Sequence, residues 1–157
     1  MRLFNRSSNN VTRRRRARGQ SMVELAMALP LLILMLVAAV DIGRLLFIAI
    51  TANSAARAGV QYGAQSVITA SDTTGMVSAA LQDGKDVSGL SATATYYCKC
   101  PDASTPPKCG DNVCASGDQI IYVNVIATAQ FTPMTKIPGI PSPLTITTNA
   151  TRRVAMQ

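Results

Sequence analysis

The chain has 157 residues, 48 % of them hydrophobic and 15 % charged, with four cysteines, no histidine and a formal net charge of +7. That length holds one modest folded unit, and the missing histidine removes the side chain most often used for proton transfer near neutral pH. With no paired-carboxylate motif, glycine-rich phosphate loop or nucleophile elbow, the chain is expected not to be an enzyme and to need no cofactor or metal.

The positive charge sits at one end. Arg2, Arg6, Arg13, Arg14, Arg15, Arg16 and Arg18 all precede Gly19, and from Gln20 onward eight basic residues balance eight acidic ones. An arginine block can bind phosphates, but no aromatic stacking residue is interleaved with it and no recognition motif follows, so nucleic acid is not an expected partner. Arginines flanking an apolar run are better explained by membrane topology, because Lys and Arg are retained on the cytoplasmic side.

Leu25 to Val40 carries no charge or strongly polar group, and after Asp41 and Arg44 the apolar character resumes from Leu45 to Ile50. As a helix, Leu25 to Ile50 would extend about 39 Å, more than a hydrocarbon core of about 30 Å. A cleaved secretory signal is the main alternative, but the run exceeds a usual h-region and Ala49 to Ala52 is a weak cleavage site. A twin-arginine signal would need its arginine pair in a more specific motif. The chain is therefore expected to span the membrane once, N-terminus inside and the remainder exported.

Three charged residues border this span. Asp41 and Arg44 stand three apart, share a helix face and can pair at the membrane edge. Glu24 enters the apolar run with no basic residue three or four positions further along. A carboxylate there is costly without a partner, so it is a functional candidate; a first-turn acid favoured by the helix dipole is the plainer reading.

The stretch Arg18-Gly19-Gln20-Ser21-Met22-Val23-Glu24-Leu25-Ala26, then Pro30, then Asp41-Ile42-Gly43-Arg44, resembles the TadE-like family of pilin-like proteins, associated with the tight-adherence or Flp-type pilus apparatus. The resemblance covers roughly Arg18 to Gly63. It implies cleavage by a prepilin peptidase between Gly19 and Gln20, leaving Glu24 as the fifth mature residue. It further implies that Glu24 meets the N-terminal ammonium of a neighbouring subunit, a pair that sets register more than it adds affinity. The implied location is the bacterial inner membrane, with the head periplasmic and incorporation in a pilus as an option. The implied partners are the membrane, the peptidase, other pilin or pseudopilin subunits and pilus-assembly proteins.

Pro30 is expected to kink or loosen the span. Beyond the membrane the helix is expected to continue from Leu45 to about Ser66, alanine-rich and free of proline. Ala55, Gly59 and Gly63, with Ala52 and Ala56 beside them, form a small-residue stripe that allows close backbone approach either to another helix or to the protein's own sheet, the second being favoured.

Ser71 to Leu90 reads as connection with a short helix over Met76 to Gln82. Strands are expected at Ala92 to Cys98, Ile120 to Phe131 and Leu144 to Val154, the second with alternating Val123, Val125, Ala127, Ala129 and Phe131, and the last following the loop Pro138 to Pro143. Resemblance supports this ending loosely, through Thr132-Pro133 and the Thr/Ala alternation of Thr145 to Ala150. The fold class is thus α+β: a long transmembrane helix running into a small head with an antiparallel sheet of about three strands. Its parts are a leader (1–19), the helix (20–66) and the head (67–157) with a disulfide loop (98–114).

Cys98, Cys100, Cys109 and Cys114 flank the loop Pro101 to Lys108. Cys-x-Cys is a poor match to structural zinc spacing and an exported compartment favours oxidation, so two disulfides are expected. Hairpin symmetry favours the nested pairing, Cys98 with Cys114 and Cys100 with Cys109. Asp102, Asp111 and Asp118 read as solvated loop acids. The leading functional expectation is a minor pilin or pseudopilin-like component; the alternative is an unprocessed anchor presenting a disulfide-braced binding head.

Overall fold

The computed structural model describes residues 9–102, 109, 114, 119–134, 139 and 141–154, with side chains from Gly19 onward. Arg2 and Arg6, the side chains of the other leader arginines, residues 103–108, Asp111, Asp118 and Pro138 lie outside the described residues. The elements in chain order are α1 (Asn9–Gly63), α2 (Val67–Ser71), α3 (Thr73–Asp83), β1 (Ser91–Lys99), β2 (Ile120–Phe131) and β3 (Leu144–Arg153). They fall into two units, Met1–Ile42 and Gly43–Gln157.

The first unit is helical throughout its described part, and α1 runs unbroken through Pro30. From Leu25 to Val40 its side chains are apolar on every face and nearly all exposed, with Met27 at 78 %, Leu34 at 67 % and Leu36 at 66 %. A helix that is hydrophobic all round and uncovered suits lipid rather than water. Gly19–Gly63 is long and apolar enough to cross a membrane. One apolar helix of this kind fits a single-pass anchor.

In the second unit the sheet order is β1-β2-β3, both pairs antiparallel. Alternation along β2 fixes which face is buried: Val123, Val125, Ala127, Ala129 and Phe131 are inside. The end of α1 lies on this face in matched layers. Ala52 packs with Ala129, Ala55 and Ala56 with Ala127, and Val60 with Val123 and Val125. Alanine meets alanine because a helix and a sheet this close leave no room for longer chains, and each fully buried valine contributes about 1.5–3 kcal/mol.

Two glycines permit the closest approach. A Cβ at Gly59 would stand 2.9 Å from the Met76 carbonyl oxygen and 3.1 Å from both Val125 methyls, and one at Gly63 would strike the Met76 side chain. The small-residue stripe is therefore used inside the subunit. α3 completes the layer with Met76 and Ala80, both fully buried.

The long helix stops at Gly63, three residues short of Ser66, for a local reason. Ser66 caps a new helix: its Oγ accepts from the Thr69 amide at 3.2 Å while its own amide donates to Thr69 Oγ1 at 3.0 Å. This capping box turns the chain into α2. Asp72 then caps α3, accepting from the Gly75 amide at 2.8 Å, so α3 starts at Thr73 and runs longer than the expected Met76 to Gln82.

Candidate functional site

Gly19, Gln20 and Glu24 all lie on α1 and are exposed. A Cβ at Gly19 would meet nothing within 4 Å, so crowding does not require glycine there. No described side chain pairs with Glu24. The carboxylate thus stands on an uncovered helix face at the entrance to the apolar segment, open to another molecule.

Asp41 and Arg44 sit three positions apart on α1, and Asp41, at 9 % exposure, is the one buried charged side chain among the described residues. Arg44 does something that its sequence position does not announce. Its guanidinium carbon stands 5.7 Å from the centre of the Phe131 ring, a cation–π distance that ties α1 to the end of β2.

The four cysteines form two bonds, Cys98–Cys109 and Cys100–Cys114, each with Cα atoms 5.5 Å apart. This crossed pairing overturns the nested one. The hairpin argument applies to residues facing each other on the ladder, but Cys98 faces Ile121 and Lys99 faces Ile120. Cys109 and Cys114 lie in the connection, off the ladder, where strand register does not choose their partners. With every cysteine oxidised, no thiolate set is left for zinc.

Cys98 and Cys100 are buried, at 2 % and 5 % exposure. As alternate residues they point to one side, so Lys99 between them is turned to the outer face of the sheet, where it is exposed. Lys99 Nζ stands 5.9 Å from the centre of the Tyr97 ring, and Tyr97 stacks on Tyr122 across the strands at 5.5 Å with the rings 13° from parallel. Tyr122 faces Arg153 on β3. In the neighbouring row Thr151 Oγ1 donates to Asn124 Oδ1 at 3.2 Å.

A second polar cluster joins α1 to α3. Tyr62 Oη donates to Asp72 Oδ2 at 2.8 Å, and no Cβ fits at Gly75 between these two side chains. The Gly75 amide first, and the Tyr62 hydroxyl second, hold the Asp72 carboxyl below its ordinary pKa, while the same carboxylate pushes the Tyr62 phenol up. The cluster ties the end of α1 to the start of α3.

Sequence reading missed the tyrosine stack and the Tyr62–Asp72 bond. The Asp72-x-x-Gly75 start of α3 was a readable cap signal. The stack was not readable, because it depends on the β1–β2 register, and a connection of 20 residues between Lys99 and Ile120 leaves that register unspecified.

Comparison with known proteins bears on α1 alone. No curated protein and no solved structure matches the chain. Residues 19–61 match the family model described as TadE-like protein, which starts at Gly19 and ends two residues before α1 does. Over the exposed apolar helix and its continuation onto the sheet, the chain is thus similar to TadE-like proteins.

Proposed function

We propose that the protein is a minor pilin or pseudopilin-like component of a tight-adherence, Flp-type pilus assembly or secretion apparatus. In this reading a prepilin peptidase cuts between Gly19 and Gln20, the apolar helix holds the subunit in the inner membrane, and the head stands on the outer side. Glu24 then receives the new N-terminal ammonium of an adjacent subunit. The observation that carries the reading is the TadE-like match over 19–61, beginning at the residue where the basic leader ends. Supporting it, Glu24 is an acid on an uncovered helix face, and an isolated carboxylate at that depth is costly until a cation meets it.

N-terminal sequencing of the protein from its native membrane tests the processing step. A start at Gln20 is expected with active peptidase, and a start at Met1 refutes the cut and favours an unprocessed anchor presenting a braced head. Glu24→Ala tests the pairing: the variant should reach the membrane in normal amount yet fail to enter assemblies, scored by co-purification with other subunits. Normal assembly of Glu24→Ala would remove the registration role.

A further inference from the structure

Following α1 from Ala52 to Gly63 corresponds to following β2 backward from Ala129 to Val123. Tyr122, and with it Tyr97, Lys99 and Arg153, therefore lies at the end of the head remote from Gly43. The face is the polar one, opposite the α1 layer, and carries Thr93, Thr95, Thr147, Asn149 and Thr151 as exposed residues. No Asp or Glu occupies an outward position of the three strands.

We propose that this remote corner of the sheet, built on Lys99, Tyr97, Tyr122 and Arg153 beside the Asn124–Thr151 row, is a binding platform for an acidic polysaccharide. Three properties select that ligand. The register brings a cation to each side of an aromatic pair on strands whose outward positions carry no carboxylate, so a carboxylated or sulfated sugar finds complementary charge. The rings offer apolar faces with hydroxyls at their tips, and the adjoining row offers hydroxyl and amide groups, the mixture a pyranose with polar edges requires. The described residues of the platform lie on one face of a three-stranded sheet, an extended surface that suits a polymer better than a small molecule. A folded protein partner would need an apolar centre to the contact, and apart from the rings the outward positions of the strands offer only Ile120 and Ile126 as large apolar side chains.

The disulfides give the platform its rigidity. Both neighbours of Lys99 are tied into separate bonds, so the backbone carrying this cation is ordered before any ligand arrives, and less entropy is lost on binding.

The test uses acetylation of lysines in the full, oxidised chain in detergent, because the arginine leader contains no lysine and is silent in this readout. Heparin serves as the sulfated probe and polygalacturonate as the carboxylated one, with dextran and single-stranded DNA as controls. At about 80 % occupancy an acidic polysaccharide should slow acetylation of Lys99 about fivefold, leaving Lys85 unchanged. Arg153→Ala, an exposed position, and Tyr122→Phe, which keeps the ring, should each weaken that protection. Equal protection of Lys99 and Lys85, equal protection by dextran, or protection by DNA as strong as by the polysaccharides would each overturn the proposal. Unchanged protection in both variants would overturn it as well. None of these outcomes depends on whether the leader is cut, so the processing step and this platform fail separately.

Discussion

Asp72 joins three segments through one carboxylate: the end of α1 through Tyr62, the turn after α2, and the first turn of α3 through Gly75. Its charge state should therefore be visible in the stability of the head. The folded carboxyl titrates below its unfolded value, so its contribution is complete above about pH 4 and is lost as the pH falls through the lowered pKa. Tyr62 has the opposite sense: its folded pKa is raised, so its contribution is complete below about pH 10 and is lost as the pH rises through the raised value. Thermal unfolding followed across pH should fall away at both ends. Asp72→Asn retains a side-chain carbonyl for the cap but removes the titrating group, so it should flatten the acid limb while lowering stability at neutral pH. Tyr62→Phe should flatten the alkaline limb and leave the Gly75 contact in place. An acid limb unchanged in Asp72→Asn would assign the acid loss to other carboxylates.

Elements differ in what their sequences reveal, and the reason is the range of the interactions that define them. β2 has the expected bounds because its pattern is local: alternate small apolar residues bury one face and leave the other half-covered. β1 extends one residue at each end of Ala92 to Cys98, and β3 stops at Arg153 although the Val154 amide still donates to the Ile121 carbonyl of β2 at 2.9 Å, a one-residue difference at a strand end. The apolar helix and its small-residue stripe were legible for the same local reason, whereas α2 was not: five residues carry no usable period, and only the Ser66 and Thr69 side chains mark it. The stripe itself supports a ranking of two substitutions. At Gly59 an added Cβ meets the backbone carbonyl of Met76, so α3 must move; at Gly63 it meets mainly the Met76 side chain, which can turn. Alanine recovers about 1 kcal/mol of helix propensity at either site, while overpacking costs about 1–3 kcal/mol. Gly59→Ala should therefore destabilise the head more than Gly63→Ala, measured by chemical denaturation in detergent; the reverse order would mean that Met76 has no free volume to turn into.

At the scale of the whole chain, the charge distribution, the apolar helix and the oxidised cysteines constrain one another. Every leader arginine precedes Gly19 while Arg44 and Arg57 are the nearest basic residues beyond the apolar segment, an asymmetry that under the positive-inside rule supports the proposed orientation, with the leader in the cytoplasm and the head outside. Two disulfides in the head agree with that proposed orientation, because thiols kept in the cytoplasm stay reduced. The agreement can be broken deliberately. Replacing all seven leader arginines by Gln removes the retained charge and leaves Arg44 and Arg57 as the stronger flank, so a large share of the molecules should insert the other way round. Those molecules would carry their four cysteines as thiols, and alkylation with a bulky maleimide under denaturing, non-reducing conditions should shift them by four additions while the wild type shifts by none. Restoring Arg13 to Arg16 alone should restore the oxidised form, since this block holds four of the seven charges and lies near enough to the span for flanking charge to act. If the arginine-free chain stayed fully oxidised, the leader would not be what orients the helix, and its charge would have to be explained by the peptidase or by another cytoplasmic partner.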